Sequence, residues 1–93
     1  MADENTAFDE IQKHRDQIDE LDVRIVELLN ERAIHSLQIR DLKPTANMGL
    51  YDPRREEEII QKIGSCNEGP LYNEHLREIY TTILKVMKEA PSL

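Results

Sequence analysis

The chain has 93 residues, enough for one domain, and its 19 acidic against 12 basic residues leave a formal net charge of -7, which argues against nucleic acid and anionic membrane as partners. Its single cysteine, Cys66, excludes an internal disulfide and fits a reducing, cytoplasmic setting. The opening Met1-Ala2-Asp3-Glu4-Asn5 is acidic with no apolar run behind it, so no secretory signal is expected, and no stretch approaches the roughly 20 apolar residues of a membrane span.

The first predicted element is a long helix. Thr6 followed by Asp9 and Glu10 reads as an N-cap with acids in the first turn. From Ile11 a heptad pattern runs unbroken, one line holding Ile11, Ile18, Ile25, Arg32 and Ile39 and the line three residues on holding His14, Leu21, Leu28, His35 and Leu42. No glycine or proline occurs before Pro44, which should end the helix near Lys43 because proline disfavours helical geometry in the residue before it. Pro44 to Tyr51 reads as a loop with Gly49 at its turn. Asp52 and Pro53 then open a second helix as N-cap and first helical residue, followed by Glu56, Glu57 and Glu58, with Ile59, Ile60 and Ile63 on the buried side. The run from Gly64 to Pro70 is the second loop. A third helix is expected from about Asn73 to Ala90, with Leu76, Ile79, Tyr80, Ile83, Leu84 and Met87 as its apolar stripe. The fold class is all-α, three helices in one domain spanning residues 1–93.

The first helix is too long for a chain of this size. Roughly 37 helical residues make a rod of about 55 Å, whereas a compact domain of this length is only about 35 Å across. Two shorter helices cannot cover an apolar seam that runs its whole length. A second copy can, so an intertwined homodimer is expected in which the first helices pack together and each chain depends on its partner for stability.

Arg32 interrupts that seam between Ile25 and Ile39, at a position expected to be buried. A desolvated guanidinium costs several kcal/mol unless an anion meets it. That anion can be structural, such as the partner's Glu31 or Asp22, or it can be a ligand. Other cations favour the ligand: Arg15 beside the seam, Lys43 at the helix end, and Arg54 and Arg55 opening the second helix. Lys43 follows Arg32 by about three turns and projects from the same face. Arg15 precedes Arg32 by about 25 Å along the axis, too far for one small ligand to touch both on a single straight helix. Antiparallel packing of two copies would bring Arg15 of one chain level with Arg32 and Lys43 of the other. His14 and His35 are more than about 30 Å apart along the helix and cannot share a metal, His75 is placed near the surface, and Cys66 is a loop thiol with no activating neighbour. No Ser-His-Asp set, glycine-rich phosphate loop or metal-ligand spacing is visible, so neither a cofactor nor a metal is expected.

The pattern Arg15-x2-Ile18-x2-Leu21-Asp22-x5-Leu28-Leu29-x-Glu31-Arg32, then Lys43, then Tyr51-Asp52-x2-Arg55-Glu56, resembles the all-helical chorismate mutases, in particular bacterial domains fused to prephenate dehydratase or to the first enzyme of the shikimate pathway. It extends from residue 8 to about residue 87. The resemblance implies an isomerase that rearranges chorismate to prephenate, a homodimer with two equivalent sites, and a possible fused or associated shikimate-pathway enzyme. It further implies that Arg15 from one chain and Arg32 from the other hold the two substrate carboxylates. Lys43 would donate to the ether oxygen, Glu56 and the Asp52 backbone would hold the ring hydroxyl, and Arg55 would border the site. Three positions depart from the pattern, one of them Pro44 directly after the lysine. Met87, counted among the substrate-binding positions, stands where a small residue is usual. Pro91 stands one turn later in place of a glutamine that faces the ether oxygen, with Lys88 and Glu89 nearby but on different sides of the helix. An isochorismate pyruvate lyase of the same fold and a catalytically weak regulatory or dimerisation domain remain open as alternatives.

Overall fold

The computed structural model describes residues 3–91. Met1 and Ala2 of the acidic opening, and Ser92 and Leu93 of the expected 1–93 domain, lie outside the described residues. Three helices follow one another, α1 over Glu4–Leu42, α2 over Pro53–Ser65 and α3 over Asn73–Glu89, with no strand among the described residues. None of the three is long and apolar enough to cross a membrane. The chain divides within α1, between Arg32 and Ala33, into two compact units.

The first unit is helix. It starts earlier than the expected Thr6 cap: Asp3 precedes the first helical residue, Glu4, and its Oδ1 accepts the Thr6 N–H at 2.7 Å, while the Asp3 carbonyl accepts the Ala7 N–H at 3.0 Å. A carboxylate at the helix start satisfies one free N–H and meets the positive end of the dipole, and it captures the role before Thr6 can. The Thr6 hydrogen bonds hold the Asp3 carboxyl below its ordinary range. Along this unit Ile11, Ile18, Leu21, Ile25 and Leu28 are between 47% and 60% exposed in the single chain. Five apolar side chains at heptad spacing left half in water is the signature of a seam that needs a covering surface.

The second unit holds the rest. α1 stops at Leu42, as Pro44 foretold, but the chain winds one turn further. The Ala46 N–H bonds to the Leu42 carbonyl at 3.1 Å, the Asn47 N–H to Pro44 at 3.1 Å and the Met48 N–H to Lys43 at 2.9 Å. This is a Schellman-type ending, and the left-handed residue it requires is Asn47, at φ 58°, rather than the expected Gly49. Asparagine tolerates that region better than most residues with a Cβ, so the turn closes two residues before the glycine.

α2 begins as predicted. Asp52 caps it, its side chain accepting the Arg55 N–H at 3.0 Å, and Pro53 occupies the first turn. Its end runs past the expected loop boundary, through Gly64 to Ser65, with the Cys66 N–H returning to the Lys62 carbonyl at 3.1 Å. Gly64 lies in the last turn of the helix, where an added Cβ would stand 3.4 Å from the Asn73 side chain. α3 opens with the Tyr72 N–H donating to His75 Nδ1 at 3.3 Å, which gives His75 a capping task at the surface. Leu37, Ile60 and Met87, one from each helix, are the buried hydrophobic residues. Ile59, Ile63, Leu76, Tyr80, Ile83 and Leu84 are half-buried around them. Ile79, expected on the same stripe, is 46% exposed.

Candidate active site

The sequence-predicted residues fall into both units. Arg15 and Arg32 belong to the first, where Arg15 is exposed and Arg32 half-buried. Among the described residues neither is in an ion pair. Lys43, Asp52, Arg55, Glu56 and Met87 belong to the second, and most of these gather around the start of α2.

Lys43 directly follows α1 and turns its ammonium back across the loop, Nζ donating to the Leu50 carbonyl at 3.1 Å. The Schellman turn makes this possible, since it reverses the chain within reach of a lysine side chain. Leu50 is followed by Tyr51 and the Asp52 cap, so Lys43 fixes the segment that leads into α2. The cap in turn sets the first turn: the Asp52 carbonyl accepts the Glu56 N–H at 3.2 Å, placing Glu56 on the side of α2 that faces the end of α3. Glu56 meets the Lys88 ammonium in an ion pair, and the same Nζ lies 5.2 Å from the Tyr51 ring centroid, within cation–π range.

Arg55 is tied elsewhere. Its Nη1 lies 3.7 Å from Glu58, with Arg54 3.7 Å from the other carboxylate oxygen, and all three side chains are exposed. Pairs of this kind contribute about 0–1 kcal/mol and leave the guanidinium free to exchange partners. Met87 is 8% exposed and belongs to the core. Glu57 reaches Arg77 of α3 at 3.3 Å, so a shallow groove between α2 and α3 is bracketed by the Glu56–Lys88 and Glu57–Arg77 pairs over a floor of Ile60 and Leu84.

Two residues of this arrangement were not singled out by sequence. Arg40, in the last turn of α1, donates from both terminal nitrogens to the Ala90 carbonyl at 3.2 Å and from Nη1 to the Lys88 carbonyl at 3.4 Å. It caps the end of α3 rather than its own helix. Lys88 is read from sequence as near Pro91 but on a different side of the helix, yet it is one turn after Leu84 and so shares the inward edge of the α3 stripe. That spacing was the available signal. Pro91 follows the end of α3, where Ala90 is extended at φ -60° and ψ 141°. It has no N–H to donate.

Three helices with no strand among the described residues, with Lys43 and Lys88 gathered near the capped start of α2, define the class as an all-helical domain with cations at one helix start. The chain superposes on a chorismate mutase from Thermus thermophilus with a TM-score of 0.83 and 31% identity, over 86% of this chain and 91% of that one. A chorismate mutase from Helicobacter pylori in complex with prephenate matches with a TM-score of 0.79 and 28% identity, over 87% and 88% of the two chains. The family model for chorismate mutase type II matches residues 14–90, and the chain belongs to that family. A bifunctional chorismate mutase/prephenate dehydratase from Neisseria gonorrhoeae is 38% identical over 71 residues, and the Aquifex aeolicus protein of the same description is 38% identical over 81. The chain spans only 19% and 22% of the length of those relatives.

Proposed function

We propose that the chain rearranges chorismate to prephenate as a homodimer with two shared sites. The observation that carries this reading is the convergence of Lys43, the Asp52 cap and Glu56 at the start of α2, in a chain whose residues 14–90 match the family.

The rearrangement is a single pericyclic step. One carbon–oxygen bond breaks as a carbon–carbon bond forms, and no proton, nucleophile or cofactor takes part. What remains for the protein is to fold a flexible dianion into a chair-like reactive shape, which is positioning, and to stabilise the negative charge that grows on the ether oxygen. Arg15 of one chain and Arg32 of the other hold the two carboxylates. Lys43 donates to the ether oxygen, exchanging the Leu50 carbonyl for the substrate; because charge on that oxygen is greater in the transition state than in the substrate, this contact raises the rate as well as the affinity. Glu56 and the Asp52 backbone receive the ring hydroxyl, with Arg55 at the border; Met87, buried in the core, has little surface left to meet the substrate.

The exposed heptad seam supports the dimer. A second copy laid along it would cover Ile11, Ile18, Leu21, Ile25 and Leu28 together. The same proposal includes a fused or associated shikimate-pathway enzyme, suggested by the bifunctional relatives. It includes a cytoplasmic setting too, since the exposed thiol of Cys66 is free and such thiols persist in reducing compartments.

One observation favours a weaker relative of the enzyme: Pro91, which has no N–H, stands at the position where the resemblance expects a glutamine. Incubation of the purified chain with chorismate decides the matter. Loss of its ultraviolet absorbance with formation of prephenate is expected. Turnover of isochorismate to pyruvate instead would make it a lyase, and no turnover of either would leave a dimerisation domain.

A further inference from the structure

We propose that Lys88 is a positioning residue for Glu56, holding one oxygen of its carboxylate so that the other is presented to the substrate's ring hydroxyl; this rests on the reading under Proposed function. Glu56 sits on the first turn of α2, where the Asp52 cap fixes its backbone. Its side chain still has three rotatable bonds and several staggered rotamers open to it. The Lys88 ammonium selects among them by meeting Oε1, which leaves Oε2 as an acceptor.

The lysine is itself held. The Tyr51 ring lies beside its Nζ at 5.2 Å, and Arg40 clamps its backbone through the Lys88 and Ala90 carbonyls. Contacts therefore run in a closed circuit. They pass from the end of α1 through Arg40 to the end of α3, through Lys88 to Glu56 and Tyr51, and from Leu50 through Lys43 back to α1.

The neighbouring glutamates sharpen the assignment, because each of the three has its own cation. Glu57 takes Arg77 and Glu58 takes Arg54 and Arg55. Only the Glu56 pair joins the segment held by Lys43, and at 29% its carboxylate is the least exposed side chain among these pairs. A surface tether between helices would need no such circuit. A carboxylate that must accept a hydrogen bond in one direction does.

The test is steady-state kinetics of chorismate loss by the full chain and by K88M, K88R, E56Q and the K88M/E56Q double variant. Glu56 contacts a hydroxyl that does not react, so its contribution is similar in substrate and transition state and appears in KM. K88M is expected to raise KM about tenfold with kcat within about twofold, the size of one charge-assisted hydrogen bond. K88R is expected to return KM to within about twofold of the unsubstituted chain. The double variant should be no worse than E56Q alone, since Lys88 acts only through Glu56. An unchanged KM in K88M, or a K88M effect that persists in the E56Q background, overturns the proposal while turnover by the unsubstituted chain stands. A chain with no turnover at all overturns the mutase reading itself and this one with it.

Discussion

In the proposed mechanism Lys43 carries more of the chemistry than any other side chain, because it is the group assigned to the oxygen whose charge changes during the reaction. Lys43→Ala is expected to lower kcat by about a hundredfold to a thousandfold, the usual effect of removing one preorganised donor of 3–4 kcal/mol, with thermal stability little changed. Stopped-flow or steady-state loss of chorismate absorbance measures it; a fall of less than about tenfold would move the charge-stabilising role to another residue. At the other end of α1, Asp3 makes a purely structural prediction. Its folded-state pKa lies below the unfolded value, so its capping contribution is fully present above the ordinary carboxylate range. That contribution is lost as pH falls through the folded value. Asp3→Ala should reduce helicity by circular dichroism at neutral pH, and the difference from the unsubstituted chain should vanish in strong acid. A difference that persists there would assign the start of α1 to some other group.

At the level of elements, much was legible because the signals are local. Asp52-Pro53 dictates its own helix start, Pro44 limits α1, and the stripe from Leu76 to Met87 follows from helical period. The misplacements are local competitions in which two candidates stood close together: Asp3 against Thr6 for a cap, Asn47 against Gly49 for a left-handed turn. Sequence could not reveal which would win, since the members of each pair stand only two or three residues apart. Arg40 and Lys88 were missed for a different reason. Their partners lie in other elements; helical period puts Lys88 on the edge of the α3 stripe, one turn after Leu84, but nothing local to α1 or α3 names Ala90 or Glu56 as the contact.

The same scale supplies a stability test. Leu37 is 6% exposed, and Leu37→Ala should destabilise the fold by about 2–5 kcal/mol through lost burial and the cavity left behind. Ile25, 51% exposed in the single chain, should behave differently. Ile25→Ala is expected to weaken pairing itself, so that sedimentation shows this variant dissociating at protein concentrations where the unsubstituted chain and Leu37→Ala remain dimeric, because the proposed partner surface is another copy. No change in self-association for Ile25→Ala would place Ile25 outside a dimer seam.

For the molecule as a whole, the central claim is that no single chain owns a site. The apolar seam and the spacing of Arg15 from Arg32 along α1 arise from one feature, a helix of 39 residues in a chain of 93. The measurement that tests this most directly mixes two separately inactive variants, Arg15→Ala and Lys43→Ala, under conditions where subunit exchange is verified by mass. Each hybrid holds one site with both residues intact and one with neither. Random exchange makes half of the dimers hybrid, so about one quarter of the unsubstituted activity should return. Verified hybrids that turn over no more chorismate than either parent would contradict the shared site.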